Sequence, residues 1–500
     1  MPDTVTAAPA GSHAQLDHKL LRGIAWTGGM KWATQVIAWS STLVLARLLT
    51  PADYGLVGMA NLYLGLVALF TEFGLGASVI TLRDLSDDEI AQLKSAALLL
   101  GLGGTALTCA AAWPLGLFFR APDLPPVVLG LSLTFVLNSV RSISNALLQR
   151  ELRFRALAAV DGIQAIVFAL ANVVFALLGF RYWSLVLGGL VSNALAGAMV
   201  NLLRPHRYAW PTRAGLRRTI RFSRDVLVGR LAWYAYSNSD FLVAGRMLGP
   251  AALGAYSFAW TIASVPVEKV TSLVTRVTPA FFSRLQHDDA GLRRLLANVT
   301  EGLAFLTLPA SLGMVAVAGD FVRVALGPRW EAAIVPLQFL SILVTFRSIM
   351  TLLPQILMAK GDTRYLMWNG IATALVLPVG FVIGSRWGAG GIAAIWLVLY
   401  PVFVVPLYVR TFRAIGMSFH EYTARVWPAL RGSLLMLVPV LALKFMLPAA
   451  WPPALRLGVE VGAGALTFFL TTLLPQRQRL IALFQLIRTP NRPAPSAAPA

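Results

Sequence analysis

Apolar residues run through this chain in stretches of about twenty, and short segments rich in Arg, Pro and Gly separate them. About 20 such residues, rising 1.5 Å each, cross the hydrocarbon core of a bilayer, so each stretch predicts one spanning helix. Fourteen stretches qualify: 23–46, 56–80, 95–118, 125–147, 157–179, 182–203, 225–247, 251–280, 296–318, 333–357, 366–385, 388–409, 427–447 and 455–474. The expected fold class is all-α and polytopic, with about 14 membrane helices. The first stretch is too long for a cleavable leader, and polar residues precede it, so it counts as a retained span.

The polar segments divide the chain. Residues 1–19 are small and polar, and 477–500 are Pro/Ala-rich, so both read as tails that bury too little to fold. The longest and most basic connection is 204–224. It separates a first bundle, 20–203 with spans 1–6, from a second, 225–410 with spans 7–12. Two further helices, 411–476, are appended.

An internal repeat supports two bundles in parallel orientation. At an offset of 199, Ala46-Arg47-Leu48-Leu49-Thr50-Pro51-Ala52-Asp53-Tyr54-Gly55 falls on Gly245-Arg246-Met247-Leu248-Gly249-Pro250-Ala251-Ala252-Leu253-Gly254. Each half has an Arg at the end of one helix, a Pro that starts the next and a Gly after its first turn. Lys31 falls on Arg230 at the same offset, so a cation recurs at the same depth. Parallel repeats of this kind are one way transporters are built.

Composition narrows the function classes. Of 500 residues, 57% are hydrophobic and 13% charged, yet Lys and Arg number 42 against 22 acids, a net charge of +20. A soluble nucleic-acid binder would need a polar surface for that charge, and this chain lacks one. Most of the charge is topological. With the N-terminus inside, 26 basic residues lie in one set of connections, including Arg83, Lys94 and the 204–224 segment, against 8 in the other set. Basic residues concentrate in cytoplasmic loops, so both termini are expected in the cytoplasm.

Cofactor chemistry is not expected. Cys109 is the single cysteine, and His13, His18, His206, His287 and His420 are scattered, so no metal site is predicted. No G-x-x-x-x-G-K-[ST] loop occurs, which argues against an ATP-driven pump and leaves an H+ or Na+ gradient, or substrate flux, as the energy source. Asp87-Asp88 and Asp288-Asp289 are the only adjacent Asp pairs. They read as helix starts and turns rather than the acidic metal-binding pair of a membrane glycosyltransferase or polymerase.

Several segments resemble one family. They are Leu45 to Val57, Phe73-Gly74-Leu75-Gly76-Ala77, Leu148-Gln149-Arg150-Glu151-Leu152-Arg153-Phe154-Arg155, Asn238-Ser239-Asp240 with Gly245-Arg246, and Phe282-Ser283-Arg284-Leu285-Gln286. Together they look like the polysaccharide transporter family, the Wzx-type flippases of the multidrug/oligosaccharidyl-lipid/polysaccharide exporter superfamily. The resemblance runs from about residue 20 to 480. It implies twelve to fourteen helices in two bundles around a central cavity, in a bacterial inner membrane. The implied cargo is an undecaprenyl-pyrophosphate-linked oligosaccharide for exopolysaccharide, capsule or O-antigen, and the implied partners are the bilayer and the polysaccharide polymerase machinery. A multidrug or cation exporter of the same superfamily is the alternative.

Charges inside spans carry the site prediction, because an ionisable residue at the centre of a span costs about 2.5–3.5 kcal/mol on insertion scales and therefore faces a cavity or a partner. Lys31 and Arg230 each precede their helix-end Arg by 16 residues, or about 24 Å of helix. Lys31, Arg141, Arg230, Lys269 and Arg347 are the expected anion-binding residues, Arg suiting phosphate through its planar fork and Lys acting as a point charge. Lys269 and Arg276, seven residues apart, share a stripe of span 8. Snorkelling to the interface is the competing reading for Lys31, Arg230, Lys269 and Arg276, and Arg347 lies too deep for it. Glu72 and Glu268 are candidates for proton coupling or for neutralising a nearby cation, and Asp240 for an outer-gate hydrogen-bond acceptor. A cavity lined by cations suits an anionic cargo better than an organic cation.

Overall fold

The computed structural model describes residues 37–72, 75–82, 84–212, 230–231, 233–275, 278–448 and 450–477. Among them the regular secondary structure is helical, and ten stretches are long and apolar enough to cross a membrane. One of these, Thr363–Ile415, contains two of the expected spans, parted at a short 3-10 turn, Ser385–Trp387. Apolar side chains stand exposed on the helix flanks, Leu117, Leu202 and Phe445 among them, as lipid-facing surfaces require. The protein is a multi-pass membrane protein. The chain separates into two compact units, Met1–Tyr234 and Ala235–Ala500, a division that falls inside the expected seventh span.

The first unit comprises α1 (Ile37–Leu48), α2 (Pro51–Glu72), α3 (Leu75–Thr81), α4 (Asp87–Phe119), α5 (Leu124–Arg150), α6 (Phe154–Leu177) and α7 (Trp183–Leu203). α4 packs along α5, α6 along α7, and α7 also along α5. α4 is longer than hydropathy predicts. Ser86 Oγ accepts from Glu89 N at 3.2 Å while Glu89 Oε2 accepts from Ser86 N at 2.8 Å, a reciprocal cap that starts the helix well before the apolar run. Asp87, Asp88 and Glu89 complement the positive end of the helix dipole. As a result Lys94, expected in a connection, sits on α4 and is only 3% exposed.

The second unit begins with α8 (Ser239–Val243), which runs into a π-turn, Ala244–Leu248. There follow α9 (Pro250–Thr275), α10 (Thr278–Arg284), α11 (Asp289–Phe321), α12 (Ile334–Met350), α13 (Leu352–Ala359), α14 (Thr363–Gly384), α15 (Gly388–Val398), α16 (Tyr400–Ile415), α17 (Phe419–Met446) and α18 (Pro453–Phe468). α2 and α9 both begin on the Pro that the repeat aligns. Leu248-Gly249-Pro250 and Leu326-Gly327-Pro328 end their helices alike, with φ of 85° at Gly249 and 97° at Gly327, a region open to glycine, before a Pro opens the next helix.

Two expected spans are broken. The 333–357 run divides at Thr351, because Pro354 has no N–H for the Met350 carbonyl, and the 388–409 run divides at Leu399, ahead of Pro401. A hydrophobic core of this unit joins α11, α13, α16 and α17 through Leu296, Leu303, Leu353, Ile356, Ile415 and Tyr422.

Candidate functional site

In the first unit a cavity of about 440 Å³ opens among α2, α3, α4 and α5. Its polar lining consists of Thr71, Asn138, Ser139, Arg141, Ser142, Asn145, Gln149 and Arg230, and Phe135 and Ile80 contribute apolar wall. Arg141 and Arg230, two of the expected anion-binding residues, therefore share one cavity. Arg141 is held from behind: it donates to Gln164 Oε1 at 2.6 Å and to Asp161 Oδ1 at 2.9 Å, both on α6. Gln164 in turn donates to Asn193 Oδ1 on α7 at 3.0 Å. This chain across three helices fixes the guanidinium plane at the cavity wall.

A second polar centre lies on the other side of α5. Lys94 Nζ donates to Asn201 Oδ1 at 2.9 Å and to the His206 carbonyl at 3.0 Å, and it stands 4.7 Å from the centroid of the Tyr208 ring. Its partners are neutral acceptors and a π face, which together replace the water it has lost. The segment 204–212 thereby lies along the start of α4. His206 Nε2 donates to the Asp87 carbonyl at 3.2 Å, Arg207 pairs with Asp88, and Thr212 Oγ1 donates to Gln92 Oε1 at 2.8 Å. Partial burial pushes the Tyr208 phenol above its ordinary range, so it stays neutral beside the ammonium.

In the second unit Asp240 and Arg347 meet in an aromatic cluster. Asp240 is fully buried, and its carboxylate accepts from Tyr256 Oη at 2.7 Å, Trp396 Nε1 at 3.0 Å and the Phe241 backbone N–H at 2.9 Å. The Arg347 guanidinium lies 5.3 Å from the Trp260 ring centroid and 5.6 Å from that of Trp396. Tyr236, Phe381 and Tyr400 pack around Trp396. Facing aromatic planes stabilise a cation that is taken out of water.

The remaining expected residues stand apart. Glu268 and Lys269 are exposed on α9 and take no part in the Asp240–Arg347 cluster. Lys31, Arg276 and the Glu72 side chain lie outside the described residues.

Comparison with known proteins places this geometry. The model of a family described as polysaccharide biosynthesis protein matches residues 44–335, more than half of the chain. The chain belongs to that family, in accord with the polysaccharide transporter resemblance of its motifs. Among curated relatives, the lipopolysaccharide biosynthesis protein WzxC of Escherichia coli (strain K12) is 27% identical over 84% of this chain and 87% of its own length. The succinoglycan biosynthesis transport protein ExoT of Rhizobium meliloti (strain 1021) is 27% identical over 96% of this chain and 97% of its own. The solved structure of the lipid II flippase MurJ, in an inward closed conformation, shares the fold with a TM-score of 0.71 at 13% identity, covering 91% of this chain and all of that one.

Several residues of these polysaccharide-family centres escape a hydropathy reading. Asp161 was readable in principle: α5 and α6 are antiparallel neighbours, and Arg141 and Asp161 sit at similar distances from the turn at Glu151–Arg153. Glu301 on α11, fully buried and paired with Arg425 of α17 at 3.4 Å, lies near the start of the expected 296–318 span, where a carboxylate reads as interfacial, although α11 itself begins at Asp289. Trp260 and Trp396 carry no charge, so nothing in the pattern marks them as partners of Arg347.

Proposed function

We propose that the protein is a flippase that carries an undecaprenyl-pyrophosphate-linked oligosaccharide from the cytoplasmic to the outer leaflet of a bacterial inner membrane, for exopolysaccharide, capsule or O-antigen assembly. The observation that carries this reading is the cavity that Arg141 and Arg230 share, lined in part by amide and hydroxyl side chains. Two guanidiniums on one polar wall suit a pyrophosphate, which offers oxygens to both forks. The biosynthetic and transport roles in the relatives' names agree with such a cargo.

In the mechanism, alternating access brings the cavity to the cytoplasmic side, the pyrophosphate engages Arg141 and Arg230, and the sugars follow through the polar interior while the prenyl chain stays in lipid. Arg347, between its two tryptophans, is a second cationic contact, in the other unit. Energy comes from an H+ or Na+ gradient or from cargo flux.

Deleting the gene and extracting the membrane lipids tests the reading. The expected result is carrier-linked oligosaccharide trapped on the cytoplasmic side, with export restored by the wild-type gene and not by Arg141→Ala or Arg230→Ala at equal protein level. Full export from both variants would overturn it.

A further inference from the structure

α5 places Asn138, Arg141, Ser142, Asn145 and Gln149 at intervals of three, four, seven and eleven residues from the first. At 3.6 residues per turn these positions form one stripe about 100° wide and about 16 Å long. All five line the same cavity as Arg230.

The polar groups of α5 differ in how they are satisfied. Ser132, Ser139 and Ser144 donate to helix carbonyls or to Asn201, and Arg141 is bound to α6. Among the described residues, the side-chain amides of Asn138, Asn145 and Gln149 make no hydrogen bond, and each opens on the cavity. Asn138 and Asn145 lie within the expected 125–147 span, where a polar group is tolerated only if something in a cavity satisfies it. An amide offers two donors and an acceptor, which matches a hydroxyl that both gives and takes a proton. A phosphate oxygen, by contrast, only accepts. The volume, about 440 Å³, lies within the roughly 300–1,000 Å³ of small-molecule sites.

Resting on the flippase reading above, we infer that Asn138, Asn145 and Gln149 form a sugar subsite that reads hydroxyls of the hexose attached directly to the pyrophosphate, beside the phosphate contacts of Arg141 and Arg230. The amides supply cargo selectivity. The guanidiniums supply affinity common to every pyrophosphate carrier.

Equilibrium binding to the full-length protein in lipid nanodiscs, with undecaprenyl pyrophosphate and undecaprenyl-pyrophosphoryl glucose as separate probes, tests this. Wild type is expected to bind the glucose-bearing carrier about tenfold more tightly. Asn145→Ala with Gln149→Ala should remove that preference while leaving the affinity for the sugar-free carrier unchanged, which also shows that the variant is folded. Arg141→Ala should weaken both. Absence of a preference in wild type, an equal loss for both carriers in the double variant, or a preference that the double variant retains would each overturn the sugar subsite. If wild type bound neither carrier, the pyrophosphate reading itself would fall, and the subsite with it.

Discussion

Asp161 Oδ1 accepts a hydrogen bond from Arg141 at 2.9 Å, with the carboxylate side chain 65% exposed and the guanidinium side chain 18% exposed. The acid holds Arg141 from the side away from the cavity and offsets part of its charge, so removing the carboxylate leaves more positive potential for an incoming anion. Exposed ion pairs contribute about 0–1 kcal/mol. Asp161→Ala should therefore tighten binding of undecaprenyl pyrophosphate by up to about fivefold. The nanodisc titration reads this directly, and the gain should shrink as salt is raised.

Asp240 is the common acceptor for Tyr256 and Trp396. Asp240→Ala leaves the buried Tyr256 hydroxyl without its acceptor, while the Trp396 indole keeps only its longer bond to Tyr256 Oη at 3.2 Å, at a cost of about 1–3 kcal/mol. Asp240→Asn keeps one acceptor oxygen and should cost clearly less. Thermal unfolding in detergent, followed by tryptophan fluorescence, should rank wild type above Asn and Asn above Ala.

Lys94 ties the 204–212 segment to α4 through the His206 carbonyl and the Tyr208 ring, and it also bonds Asn201 on α7. Lys94→Met retains the stem but removes the ammonium. Trypsin should then cut after Arg207 several times faster in membrane vesicles, whereas cutting elsewhere stays at the wild-type rate. An unchanged rate at Arg207 would show that the Arg207–Asp88 and Thr212–Gln92 contacts hold the segment without the lysine.

α14 and α15 come close at Gly384 and Gly391, where a Cβ added to Gly391 would lie 2.1 Å from the Gly384 carbonyl oxygen. Gly391→Ala must push the two helices apart, at a cost of about 1–3 kcal/mol or more. Gly370, also on α14, has open space around the added Cβ, so Gly370→Ala should leave stability unchanged or slightly raised. Melting temperatures of the two variants measured side by side check the contrast.

How much of this was legible in the chain follows from what hydropathy measures. A run of apolar residues reports that a segment crosses lipid, so the spanning character, the all-helical class and the Pro51 and Pro250 helix starts were all readable. Arg141, Arg230, Asp240 and Arg347 stood out as candidates too, because a charge in an oily run is conspicuous. Helix ends were less so: a polar capping box carried α4 beyond its apolar run, and Pro354 split a run that looked continuous. Depth along a helix, moreover, says nothing about which neighbour a side chain faces. Trp396 lies 156 residues from Asp240, and Asn201 lies 107 from Lys94. The amide stripe of α5 could be written down from its spacing, but only the packing of α2, α3 and α4 against that helix turned it toward a cavity instead of a neighbour. The sequence by itself determined that cations interrupt long apolar helices; tertiary structure decided which of them face a cavity and which are already paired, because pairing depends on helix rotation and contact, which hydrophobicity does not encode.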